Sequence, residues 1–311
     1  MIRIFLIILV AAVLLSVLLG YVTFRMGFYY DNKERDMYRL DEGEYAPTNG
    51  TMIARVHELA ELPYEEVSIT SNDGLKLYGK YYAGAPGAPI ALMVHGYHAI
   101  AERDFCAYHK MMREKNYNIL LIDQRSHGKS EGHAVTFGVL EREDVLEWCR
   151  YLMLRFGQDT RILLMGVSMG AATVMMSTAL PLPSNVKGIV ADCGYSSPEK
   201  IIKLVIPSMV PFPTPIVYPF VKLGAVIFGH FSVTGASAES AMKQCQLPIL
   251  FIHGEADTFV PFYMVHEVYD ACVSGHKALY PVPGVVHARA SLADYEGCLA
   301  RVNELCEEIG L

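Results

Sequence analysis

The sequence predicts an α/β protein built on a mostly parallel, doubly wound sheet with an apolar helix at its N-terminus. Three observations carry this reading. Short, nearly continuous apolar runs recur beyond residue 61, as strands buried on both faces of a parallel sheet require. Helical stretches alternate with them. Ahead of them all, Ile4 to Phe24 is a run of 21 residues without a charge.

That run, flanked by Arg3 and Arg25, meets the requirement of about 20 apolar residues for a helix to cross a bilayer. A cleaved leader would carry an apolar region of only about 7 to 15 residues before a small-x-small site. Here the run is longer and Ala11-Ala12 comes too early, so residues 1–25 are expected to be a single-pass transmembrane anchor in the cell membrane. Arg25, Lys33, Arg35 and Arg39 follow it; they favour a cytoplasmic body, yet long domains are translocated regardless of such charges. The membrane side stays open. Residues 26–60, rich in charge and tyrosine and without strong periodicity, are expected to form a juxtamembrane linker or short helices.

A folded domain is expected over 61–311. EEVSIT (65–70) and LKLYGKYY (75–82), parted by the turn signal Ser71-Asn72-Asp73-Gly74, read as a hairpin. IALMVH (90–95), YNILLID (117–123), RILLMGV (161–167), VKGIVAD (186–192), LPILFIH (247–253) and KALYPVP (277–283) read as further strands. Helices are expected at 101–115, 139–156, 169–180, 261–274 and 291–308. In the second, Leu140, Val145, Trp148, Leu152 and Phe156 follow the helical period behind an acidic first turn. Ligands of such sheets bind at the carboxyl ends of the strands, so the residues just after each strand carry the chemical information.

Bulk properties narrow the function classes. A net charge of -7 argues against a nucleic-acid partner, which calls for a basic domain or stripe. Seven cysteines are scattered with no CxxC or Cys/His cluster, giving no support for a zinc or redox site. No HExxH occurs and no GxGxxG follows a strand, so neither a metal nor another cofactor is expected.

One strand ends in Gly166-Val167-Ser168-Met169-Gly170 and an alanine-rich helix begins there. A Gly-x-Ser-x-Gly would arise by chance roughly once in ten chains of this size, but its strand-turn-helix setting is that of a nucleophile elbow. Serine is a weak nucleophile that needs a general base, itself oriented by an acid. Downstream, Asp257 lies four residues past the strand in HGEADTFVP, and His287 follows the last strand in VPGVVHARA.

VHGY (94–97), DQRSHGKSEG (123–132), GVSMG (166–170), HGEADTFVP (253–261) and the late His287 stand together in one order. In these the chain resembles the serine hydrolases of the α/β-hydrolase superfamily. ADCGYSSP (191–198) and the anchored N-terminus make it similar to membrane-anchored bacterial members of esterase or serine-aminopeptidase type. The resemblance implies Ser168 as nucleophile, His287 as base and Asp257 as acid, with Asp192 as the competing acid. It also implies an oxyanion hole made by the backbone amides of Met169 and Tyr97. His95 and His253 are expected to be structural, His127 to brace loops, and His98 to line the pocket or pack.

The resemblance further implies a cap between the sixth and seventh core strands. Residues 197–235 hold six prolines and five phenylalanine or tyrosine residues, interrupted by Lys203 and Lys222; this is a poor lipid-facing span and a better cap. An apolar cap implies lipophilic acyl esters as small-molecule substrates. An amidase or peptidase, a thioesterase, and a catalytically silent binding protein on the same fold are the alternatives.

Overall fold

The computed structural model describes residues 1–31 and 36–311. Lys33 and Arg35 therefore lie outside the described residues. In chain order the elements are α1 (Ile2–Gly27), a short 3-10 turn (Gly43–Thr48), α2 (Asn49–Ala60), β1 (Glu65–Thr70), β2 (Lys76–Tyr82), β3 (Ile90–Val94), α3 (Ala101–Glu114) and β4 (Asn118–Ile122). They continue with α4 (Glu141–Phe156), β5 (Ile162–Val167), α5 (Met169–Ser177), β6 (Val186–Asp192), α6 (Pro198–Met209), α7 (Thr214–Gly229) and α8 (Ala238–Met242). The chain closes with β7 (Ile249–Gly254), α9 (Tyr263–Ala271), β8 (Lys277–Val282), α10 (Ala290–Ala293) and α11 (Tyr295–Glu308).

All eight strands form one sheet in the order β1-β2-β4-β3-β5-β6-β7-β8. Strand β2 runs antiparallel to both β1 and β4, and every pairing from β4 to β8 is parallel. Strands β3, β4, β5 and β7 are buried at every residue, which is why they read as unbroken apolar runs rather than alternating ones. Two hydrophobic cores lie on the two faces of the sheet. One holds Leu92, Leu164, Trp148 and Phe251, the other Met93, Leu163, Phe105 and Leu250.

The expected strands and helices are present within a few residues. The expected helix over 291–308 is divided at Asp294, which leaves helical geometry (φ -133°, ψ 71°) and caps α11 by accepting from the Gly297 amide at 3.1 Å. Side-chain capping of this kind begins a new helix.

Helix α1 is long and apolar enough to cross a membrane, and at 1.5 Å per residue its 26 residues extend about 39 Å. Residues 1–15 are exposed throughout. Its other end is packed into the domain: Phe24, Phe28 and Tyr30 belong to the first core. Within residues 26–60, α2 buries Met52, Val56 and Leu59, and Met52 and Val56 share a cluster with Cys106 of α3. The insertion forms α6 and α7, bent against each other by 117°, so the two are not one straight span.

Candidate active site

The site is assembled at the carboxyl ends of β3, β5, β6 and β7 and just beyond β8. Ser168 occupies the turn from β5 to α5 with φ 56° and ψ -120°, a backbone region that costs a non-glycine residue on the order of 1–3 kcal/mol. The glycines two residues to either side make the turn possible. A Cβ on Gly166 would overlap the Gly170 carbonyl and the Ala171 amide, and one on Gly170 would overlap the Val94 carbonyl. The sharp turn leaves Ser168 at the start of α5, where helix amides point outward without intrahelical acceptors.

His287 reaches this serine from the segment after β8. Its Nε2 lies 2.8 Å from Ser168 Oγ and its Nδ1 lies 2.6 Å from Asp257 Oδ2. With the proton on Nδ1, the ring donates to the carboxylate and accepts from the serine hydroxyl. Asp257 is fixed by its own loop: Oδ1 accepts the amides of Phe259 at 2.9 Å and Val260 at 2.8 Å. His253 supports the other oxygen, with Nε2 3.2 Å from Asp257 Oδ2 and 2.9 Å from the Val260 carbonyl. Burial alone would push the Asp257 carboxyl up, but hydrogen bonds from His253 and His287 outweigh it and hold the group at about 2.

Asp192, the competing acid, has a different partner. It is buried at the end of β6 and accepts from Tyr108 Oη at 2.8 Å. Burial pushes its carboxyl up to about 6 against the pull of that hydrogen bond. The sequence-derived trio of Ser168, His287 and Asp257 is thus brought into one hydrogen-bonded line, and Asp192 stands outside it.

The loop after β3 faces the serine. The Gly96 amide donates to Asp104 Oδ2 at 2.8 Å and the His98 amide to His127 Nε2 at 3.0 Å. Both neighbours of Tyr97 therefore spend their amides on the scaffold, while Tyr97 itself lines the cavities at Ser168. His95 donates from Nδ1 to the Gly96 carbonyl at 2.8 Å and accepts the Gln124 amide at 3.1 Å. His127 donates to the Arg125 carbonyl at 2.9 Å, so these two histidines tie the β3 and β4 loops together. The His98 ring stacks between Tyr97, at 3.7 Å, and Tyr30, at 4.1 Å.

Two cavities meet at Ser168. One, of about 640 Å³, is the more polar of the two, with Arg39, Asp41, Glu42, Asp104, His287 and Arg289 on its walls. There Asp41 Oδ2 accepts from Arg103 at 2.7 Å and from Arg289 at 2.6 Å. The other, of about 390 Å³, is apolar and lies under α6 and α7, bounded by Phe137, Met169, Ile202, Ile206 and Val221. Sequence reasoning did not find Asp41 and Arg289, whose pairing spans 248 residues and leaves no local pattern. It also missed Cys193, whose Sγ lies within 4.8 Å of the Asp257 and His287 ligand atoms. Burial pushes that thiol well above its ordinary value, which makes it a poor thiolate ligand.

An eight-stranded, mostly parallel sheet carrying a strained serine between β5 and α5 points to one architecture, and the alpha/beta hydrolase fold model matches residues 90–214. The chain has the α/β-hydrolase fold. A solved esterase of Pyrococcus furiosus superposes with a TM-score of 0.66 at 24% identity, over 81% of this chain and 95% of that one. Among curated relatives, the uncharacterized protein YqkD of Bacillus subtilis is 23% identical over 58% of this chain and 59% of its own length. A thiohydrolase of Aspergillus aculeatus is 32% identical over 37% of each chain. The matched region thus spans between about a third and three fifths of the length of these two relatives.

Proposed function

We propose that this α/β-hydrolase is a serine hydrolase that cleaves carboxylic esters with lipophilic acyl groups. The observation that carries the reading is the hydrogen-bonded line Ser168–His287–Asp257, with Ser168 on the wall of an apolar cavity. In this reading the domain spans 61–311 with a cap at about 197–235, and α1 is a single-pass anchor.

Ser168 Oγ attacks the acyl carbon as His287 Nε2 takes its proton, and the carbonyl oxygen becomes an oxyanion. Asp257, ionised at neutral pH, keeps the proton on Nδ1 and stabilises the imidazolium. The Met169 amide, at the first position of α5, and the Tyr97 amide receive the oxyanion; losing one such donor costs about 2.7–4 kcal/mol. Collapse passes the His287 proton to the leaving alcohol. Water, deprotonated by His287, then releases the acid and restores Ser168. No cofactor enters this scheme.

The apolar cavity suits the acyl chain, since each buried methylene contributes about 0.8 kcal/mol. The polar cavity suits the leaving group. A thioester is the second acyl donor in view, because the Aspergillus relative bears the name thiohydrolase and the same steps apply. A peptidase reading gains little from Asp41, whose charge is taken by Arg103 and Arg289.

A fluorophosphonate probe on the full-length, detergent-solubilised protein tests the reading. Wild type should label and Ser168→Ala should not, and p-nitrophenyl octanoate should be turned over faster than acetate. Folded wild type that neither labels nor turns over esters would make it a binding protein on this fold.

A further inference from the structure

Helix α1 does more than lead away from the domain. Thr23, Met26, Gly27 and Phe28 line the apolar cavity together with Ser168, Met169 and residues of the cap. The helix is held there by close packing on α7. Gly20 and Gly224 meet so tightly that a Cβ on Gly224 would overlap the Gly20 carbonyl. Thr23 Oγ1 lies 3.0 Å from the Phe220 carbonyl, and Phe228 meets Tyr21 edge-on at 5.2 Å and Phe24 at a tilt at 6.0 Å. Beyond the helix, Phe28 sits edge-on to Phe231 at 5.2 Å and to Phe137 at 5.7 Å. The C-terminal end of α1 is also tied to the serine's surroundings, because Tyr97 Oη donates to the Gly27 carbonyl at 3.0 Å.

We propose that the last two turns of α1, with Phe28, form a wall of the acyl-binding cavity and set the length of acyl chain the site accepts. This rests on the ester-hydrolase reading above. It makes α1 part of the substrate site as well as an anchor, so the enzyme with its native selectivity is the one that keeps α1.

Two variants change the wall in opposite senses. Gly27 has helical geometry, and a Cβ added there meets nothing within 4 Å, so Gly27→Phe puts bulk into open space without a backbone clash. Met26→Ala removes side-chain volume from the same wall. The readout is the ratio of kcat/KM for p-nitrophenyl octanoate to that for acetate, measured on the full chain in detergent. Each methylene excluded from the cavity is worth about fourfold, so Gly27→Phe should lower the ratio about tenfold or more, and Met26→Ala should raise it. Equal ratios in wild type and both variants, with each protein folded by circular dichroism, would overturn the proposal. If wild type labels with fluorophosphonate but shows no chain-length preference, the hydrolase reading stands and this inference falls. If wild type neither labels nor hydrolyses any ester, both fall together.

Discussion

The floor and the roof of the site are built in different ways. The floor is backbone geometry at strand ends: Ser168 on a strained turn, Asp257 held by two amides of its own loop, His287 bridging the two from the segment after β8. The roof is long-range packing: α1 against α7, α6 on the same cavity, and residues 39–45 held at the polar side by the bonds of Asp41 to Arg103 and Arg289. A floor of this kind fixes the chemistry to within tenths of an ångström, whereas a roof of packed side chains selects what enters and tolerates exchange. The contrast predicts large, all-or-none effects below and graded effects above.

The largest effect separates two carboxylates on the floor. Asp257→Asn should lower kcat by about 10⁴-fold, because the imidazole loses the partner that fixes its tautomer, while Asp192→Asn should keep near-normal activity. The reverse result would move the acid to the end of β6. Next is the backbone of the elbow. Gly170→Ala forces a methyl into the Val94 carbonyl and should cost about 3 kcal/mol or more, read as a lowered melting temperature; an unchanged melting curve would refute the close approach described for this turn.

Acid should loosen the floor in a defined window. Asp257 is held at about 2, below its ordinary value of 3.8, so its contribution is present above pH 3.8 and is lost as pH falls toward 2. The contribution is on the order of 2 kcal/mol. Denaturant titrations of wild type and Asp257→Asn at pH 5 and pH 2.5 measure it: the gap between the two proteins should narrow at the lower pH. The smallest effect belongs to the roof. Thr23→Val removes the hydroxyl that lies 3.0 Å from the Phe220 carbonyl and should cost about 1 kcal/mol. A loss as large as that of Gly170→Ala would erase the distinction between floor and roof.

The same division decides what was legible in the sequence. All eight strands could be read because central strands buried on both faces are continuous apolar runs, cut by turn residues. The candidate residues Ser168, Asp257 and His287 each follow a strand end, where local motifs mark them. The packing of residues 26–60 was not legible, since Asp41 meets Arg103 and Arg289 across 62 and 248 residues. One signal there was available: Met52, Val56 and Leu59 recur at four and three residues, the period of the α2 face that is buried. The aromatic run Phe28-Tyr29-Tyr30 reads as linker by composition, yet Phe28 is among the largest fully buried side chains.

The contact between Thr23 and Phe220 joins residues 197 positions apart. On a ribosome adding about 5–20 residues per second, α7 emerges about 10–40 s after α1. The helix that finishes the cavity is therefore synthesised first and must wait for its partner. A bilayer that accepts α1 in the interval would hold its apolar face out of water and keep it from pairing with other chains. With α1 as the proposed anchor, the order of synthesis would make membrane insertion a step in closing the roof.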